Sequence, residues 1–330
     1  MNNYTPDENR YQKMKYRRCG ESGIVLPEIS FGLWQNFGSQ ANLDNCTEMI
    51  RYAFDNGITH FDLANNYGPP AGNAEEMFGY ILRKNPLIKR EEIIISTKAG
   101  HEMWTGPYGD GSSRKMLFTS LNQSLKRMGL DYVDIFYSHR YDGITPIEET
   151  MQALVDIVRS GKALYVGISK YPAKEAQYAY DYLKHRDVRC LIYQGRYNMF
   201  NREPENEIID LANKNGAGFI AFSPLAQGIL TDKYINGIPA NSRMSRDGFL
   251  KKEILTYALV GKIRDLNAIA AKREQSLAQM ALCWTLRDPE VTSVIAGASS
   301  LNQLRDNIKS VENTSFGKEE LQIIDSILKE

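Results

Sequence analysis

The sequence predicts an α/β protein built as a (β/α)8 TIM barrel, with an insertion after the seventh strand and an extra C-terminal helix. Three observations lead there. Short apolar runs alternate eight times with amphipathic stretches of helical period along 330 residues, and such a barrel commonly needs about 250 residues plus insertions. The runs are apolar on both faces, as in a parallel sheet buried between layers. Several end in a polar side chain, and the C-terminal ends of parallel barrel strands share one face. An open doubly wound sheet is the alternative fold, because periodicity does not show closure.

Taken in order, residues 1–17 read as a weakly ordered lead-in to one domain spanning 1–330. Ile29 to Trp34 is the first strand. Asp44 to Asn56 sets Met49, Ile50, Ala53 and Phe54 on one helical face and stops at Gly57. Thr59 to Ala64 is the second strand. Helix Ala74 to Lys84 precedes strand Ile93 to Lys98, and helix Arg114 to Met128, closed by Gly129, precedes the strand ending at His139. Helix Ile147 to Arg159 leads to strand Ala163 to Ser169, and helix Ala173 to His185 to strand Cys190 to Gln194. Helix Glu205 to Lys214 leads to strand Gly218 to Ser223. An insertion runs from about Gly228 to Leu250, followed by helices Thr256 to Arg273 and Leu277 to Arg287. Val291 to Ala296 is the last strand, Leu301 to Val311 the last barrel helix, and Lys318 to Leu328 the extra one.

Hydrophobic residues make up 42% of the chain and charged ones 24%, which suits a globular protein with a sizeable core. Formal net charge is zero, so nothing electrostatic argues for nucleic acid or an anionic membrane as partner. Met1 to Arg18 is polar, without the apolar centre of a signal peptide. Cys19, Cys46, Cys190 and Cys283 form no CxxC pair and His60, His101, His139 and His185 no HxxxH spacing, so no metal site is expected. The expectation is a cytoplasmic protein with free thiols. Gly216 to Ala221 matches GxGxxA but precedes a strand, whereas a dinucleotide fingerprint follows one, so it reads as a tight turn.

The chemistry gathers at strand ends. Asp62 closes one strand and Tyr67 follows five residues later; Lys98 and His139 close the next two. A lysine ending so apolar a strand is either solvated or buried against a carboxylate, and Asp62 is the obvious partner. An ammonium beside Tyr67 would lower its pKa from about 10, towards a general acid useful at neutral pH. His139 is either a core histidine bonded to a backbone carbonyl or, next to Arg140 on the open face, a donor to a substrate carbonyl. Each residue alone says little, in a chain with 19 tyrosines; the set makes chemical sense together.

Phe61-Asp62-Leu63-Ala64-Asn65-Asn66-Tyr67-Gly68 resembles the aspartate-tyrosine signature of the aldo-keto reductases, and Lys98 and His139 match that family's other two catalytic positions. The resemblance covers nearly the whole chain. It implies a barrel binding NADPH in extended form, without a Rossmann fold. Trp34 resembles the tryptophan near the nicotinamide, with Gln40 and Asp62 also on the cofactor side. Ser169 and Gln194 match residues that hold the carboxamide, and Phe222 an aromatic ring stacked on the nicotinamide. Ser223-Pro224-Leu225-Ala226-Gln227-Gly228 resembles the pyrophosphate loop. Lys233 and Arg243 match basic residues of a loop folded over the cofactor, and Gly297, Ser299, Gln303, Asp306 and Asn307 the adenosine end. Where many members read the 2′-phosphate with lysine and arginine, this chain has Ala298 and Gln303, which leaves Ser299, Lys233 and Arg243 for that task. The plainer alternatives are core packing for Phe222 and a solvated loop for Lys233 and Arg243.

Trp34-Gln35-Asn36-Phe37-Gly38, Asn65 to Pro70, Tyr137 to Arg140 and Gly237-Ile238-Pro239 resemble the branch of bacterial L-glyceraldehyde 3-phosphate reductases, related to the β-subunits of voltage-gated potassium channels. The expectation is NADPH-dependent reduction of small aldehydes, methylglyoxal-like carbonyls included, in a homo-oligomer, tetramer or octamer by analogy. A cofactor-sensing regulatory subunit is the alternative. Trp34, Tyr67, Trp104, His139 and Arg140 are the expected substrate contacts, with Arg114 and Arg140 as partners for a phosphate.

Overall fold

Closure of the sheet is decided by its last strand. In the computed structural model, which describes residues 4–240, 242–245 and 250–329 (Arg243 by its backbone alone), β10 (Val291–Ala296) pairs in parallel with both β9 (Gly218–Phe222) and β3 (Ile29–Gly32). Between them run β4 (His60–Asp62), β5 (Ile94–Ala99), β6 (Val133–Ser138), β7 (Ala163–Ser169) and β8 (Cys190–Arg196), giving a closed barrel with its strands in chain order. The open sheet is thereby excluded.

The outer layer holds α1 (Leu43–Asp55), α2 (Asn73–Lys84), α3 (Arg114–Met128), α4 (Ile147–Arg159), α5 (Ala173–Lys184), α6 (Ile208–Lys214), α7 (Tyr257–Lys272), α8 (Leu277–Leu286), α9 (Leu301–Lys309) and α10 (Lys318–Lys329). Local chemistry sets their ends. The Asn42 side chain caps α1, whose buried face is Cys46, Met49, Ile50, Ala53 and Phe54, and Gly57 leaves it at φ 78°. Every residue of α8 is buried, and a Ser276–Gln279 capping box opens it. The 205–214 stretch is a 3-10 turn at Glu203–Glu205 followed by the shorter α6. Described residues of the insertion form 3-10 turns, Asp232–Tyr234 among them.

The lead-in is not loose. Residues 10–12 form a 3-10 turn, and β1 (Tyr16–Arg18) pairs antiparallel with β2 (Val25–Pro27). Tyr4 Oη donates to Asp55 at 2.7 Å. Arg17 donates to the carbonyls of Leu286, Asp288 and Val291 and pairs with Glu28. Cys19 and Leu26 are fully buried in one cluster with Ile135, Tyr137, Ile192, Ile220 and Ile295. The hairpin thus closes the N-terminal end of the barrel with an apolar plug. Gly167 belongs to the same packing: a Cβ there would lie 2.6 Å from the Tyr137 ring.

Candidate active site

Strand register brings the polar side chains together at the opposite end. Asp62 faces Ser96, Lys98 faces Tyr137, and Ser169 faces Gln194 across adjacent strands. Lys98 is 0% exposed, and its Nζ donates to Asp62 Oδ2 at 2.7 Å and to the Leu63 carbonyl at 2.5 Å. Asp62 Oδ1 accepts from Ser96 at 2.7 Å and from Gln194 Nε2 at 3.1 Å. The solvated-lysine alternative is excluded: two buried charges are held by each other and by further donors.

A polar column continues below this pair. His60, fully buried, meets Ser96 Oγ through Nε2 at 3.0 Å and Ser30 Oγ through Nδ1 at 2.8 Å, and Ser30 meets Ser293 at 2.7 Å. Burial pushes His60 down to about 4, so the ring is neutral at pH 7. No motif in the sequence marks these four positions. The available signal was a histidine and three serines, all inside otherwise apolar strands.

Lys98 Nζ lies 5.0 Å from the Tyr67 ring centroid, and that ring stands 6.2 Å from His139 and 6.4 Å from Trp34. Burial, then the Asp62 carboxylate, push the Tyr67 phenol well above its ordinary value. This is opposite to the lowering expected from a neighbouring ammonium. The physical reason is that Lys98 is already neutralised by Asp62, so desolvation dominates. His139 is 6% exposed and held well below its ordinary pKa by burial, then by the cations of Lys98 and Lys170. Its Nδ1 is buried with no partner among the described residues.

From Tyr67 a cleft runs across the mouth. It is lined by Trp34, Asp62, Phe222, Ser223, Leu225, Gln227, Gly228 and Lys233, and at its far end by Gly297, Ser299, Gln303, Asp306 and Asn307. Its loop is strained: Ser223, Ala226 and Gln227 have φ of 53°, 46° and 60°, a conformation that costs about 1–3 kcal/mol per non-glycine residue and gathers at functional sites. Ser169 Oγ is buried with no partner among the described residues. At the far end Gln303 Oε1 accepts from Ser299 Oγ and N, each at 3.0 Å, and Asp306 accepts from Ser276 and Gln279. Thr231, Asp232, Tyr234 and Ser276 also line the cleft and were not expected; only spatial proximity brings them there.

Gln40, Trp104, Arg114 and Arg140 stand outside that lining. Gln40 is exposed and outside the cleft lining, and the side chain of Arg243 lies outside the described residues. Trp104 is 37% exposed, and among the described residues no ring contact joins it to Tyr67 or His139. Arg114 is turned to the outer surface, where it pairs with Asp156 of α4. Arg140 holds both Asp110 oxygens with Nη2, at 2.8 and 2.7 Å, and the Gly100 carbonyl with Nε.

Residues 28–329 match the model of the aldo/keto reductase family. The chain belongs to the aldo/keto reductase family. It is therefore an oxidoreductase of a family that generally uses NAD(P)H. It is 54% identical over 321 residues to the L-glyceraldehyde 3-phosphate reductase of Escherichia coli (strain K12), an alignment covering 96% of this chain and 93% of that one. The L-glyceraldehyde 3-phosphate reductase of Escherichia coli O157:H7 is also 54% identical. A probable voltage-gated potassium channel subunit beta of Arabidopsis thaliana is 37% identical over 306 residues, 91% of this chain and 92% of that one. No helix among the described residues of this aldo/keto reductase is long and apolar enough to cross a membrane. Its four cysteines are free and buried.

Proposed function

We propose that this aldo/keto reductase reduces short aldehydes, L-glyceraldehyde 3-phosphate and methylglyoxal-like carbonyls among them, to alcohols with NADPH. The observation that carries the reading is the buried Lys98–Asp62 pair beneath Tyr67 at the head of an extended cleft. Ser169 and Gln194 would hold the carboxamide, Phe222 would flank the nicotinamide, the Ser223–Gly228 loop would follow the pyrophosphate, and Lys233 and Ser299 would meet the 2′-phosphate. The cofactor supplies a hydride to the carbonyl carbon. Tyr67 gives its proton to the carbonyl oxygen; a phenol with a raised pKa reaches neutral pH still protonated, as a general acid must. His139, neutral, donates a ring N–H to the same oxygen and orients the substrate. Lys98, fixed by Asp62, offsets the charge left on Tyr67.

Spectrophotometric oxidation of NADPH against a panel of small aldehydes, with NADH in parallel, tests this. No turnover of any aldehyde with either cofactor sinks it. The likeness to channel β-subunits supports a second reading, a cofactor-sensing regulatory protein. Tight NADPH binding with no turnover on the same panel would select it.

A further inference from the structure

We propose that Lys170 and His101 form the subsite for the substrate's phosphate. A phosphorylated short aldehyde then lies with its carbonyl at Tyr67 and His139 and its anionic tail at the Lys170 ammonium. The proposal rests on the reductase reading and adds to it the group that selects the substrate.

Lys170 follows directly on Ser169, the last residue of β7. Its backbone is left-handed, at φ 57°. A non-glycine residue keeps that conformation only when the surroundings over-determine it. Lys170 Nζ lies 2.8 Å from His101 Nε2 and 5.9 Å from the Phe222 ring centroid, so the ammonium hangs over the mouth of the barrel. Because an ammonium can only donate, His101 accepts through Nε2 and carries its proton on Nδ1.

The charges make the case. Among the described residues no carboxylate pairs with Lys170, whereas Lys98 has Asp62 and Arg140 has Asp110. Arg114, with Asp156, is outside the mouth. Burial, then the neighbouring cations of Lys98 and Arg140, push Lys170 down to about 8. An anion entering there relieves this repulsion and meets N–H groups still free on the ammonium.

The spacing also fits. The His101 ring stands 4.4 Å from the His139 ring, which stands 6.2 Å from Tyr67. His139 thus neighbours Tyr67 on one side and His101 on the other, and His101 in turn holds Lys170. In a three-carbon phosphate the carbonyl carbon and the phosphorus are separated by four bonds, about 5 Å when extended at about 1.5 Å per bond. Gly100, at φ 142°, lets the chain reach this position; a Cβ there would come within 3.3 Å of His139 Cβ and Ser112 Oγ.

The test compares kcat/KM for glyceraldehyde 3-phosphate and for glyceraldehyde, with NADPH affinity titrated separately by fluorescence. Wild-type protein should prefer the phosphorylated aldehyde at least tenfold. Lys170→Met should reduce that ratio at least tenfold, Lys170→Arg should restore part of it, and inorganic phosphate should compete with glyceraldehyde in wild type and lose most of that effect in Lys170→Met. A ratio unmoved by Lys170→Met overturns the subsite. So does a ratio that falls only in parallel with NADPH affinity, which would give the lysine to the cofactor. A wild-type enzyme that reduces both aldehydes equally well overturns the subsite but leaves the reductase reading standing. Reduction of neither aldehyde fails the reductase reading itself.

Discussion

Removing Lys98 and Asp62 together should cost less stability than the two single losses added. Lys98→Met leaves the Asp62 carboxylate buried, 2% exposed, with the Ser96 and Gln194 side chains as its only side-chain donors among the described residues. Asp62→Leu leaves the Lys98 ammonium with the Leu63 carbonyl as its one hydrogen-bond acceptor among the described residues. Breaking one side of a buried pair typically costs about 3–5 kcal/mol, so the singles should sum to roughly 6–10 kcal/mol. The double variant carries no uncompensated charge. What remains is the acceptor lost by Ser96 and Gln194, about 1–3 kcal/mol each. Urea unfolding followed by tryptophan fluorescence, to which the 0% exposed Trp284 contributes, measures all three. The double variant should recover at least about 2 kcal/mol relative to the sum. Activity should show no such recovery: each variant should fall to one common floor, because the residues act as a unit. If the double variant loses the full sum in stability, the two charges do not hold each other and the account of Lys98 as a neutralised ammonium is wrong.

Tyr67→Phe should abolish aldehyde reduction, a loss of roughly 10²–10⁴-fold, with NADPH affinity nearly unchanged by fluorescence titration; full turnover would remove Tyr67 from the mechanism. Lys233→Ala and Arg243→Ala should weaken NADPH more than NADH in parallel titrations, since the 2′-phosphate adds charge that basic side chains meet, and equal weakening would place them off that phosphate. Stability should fall as pH drops from 6.5 towards 4, by up to about 1.4 kcal/mol per pH unit for each buried neutral histidine. His60 is lowered to about 4 and His139 well below 6.5. In this window the unfolded chain binds protons that the folded state does not, so the stabilisation is complete above 6.5 and lost on acidification. Thermal midpoints independent of pH between 4 and 6.5 would contradict it.

The barrel was legible because its strands show as apolar runs and several of them stop at the mouth in a polar residue. Asp62, Lys98, Ser169 and Gln194 all sit at such ends. The N-terminal hairpin was not legible. Its strands are three residues each, too short to show a period, and its anchor is Arg17 reaching carbonyls about 270 positions away, such as Leu286 and Val291. Arg114 was expected at the mouth, but as the first residue of α3 it points to α4, where Asp156 waits. A sequence offers neighbours along the chain; the sign of the Tyr67 shift depended on a balance in space between desolvation and a pair already neutralised.

The polar column under the site follows from one constraint. An ionised Asp62 only accepts, so Ser96 must donate its single hydroxyl proton there. Ser96 can then only accept from His60, which places the His60 proton on Nε2. Nδ1 in turn accepts from Ser30, and Ser30 from Ser293. One carboxylate thus orders the protons of this column from Ser96 through His60 to Ser30. A neutral histidine is the side chain that suits the middle of this chain, since it alone presents one donor and one acceptor on opposite edges of a rigid ring. A protonated ring would turn Nδ1 into a donor and leave the Ser30 hydroxyl proton without its acceptor, so the column suits the neutral ring that burial favours.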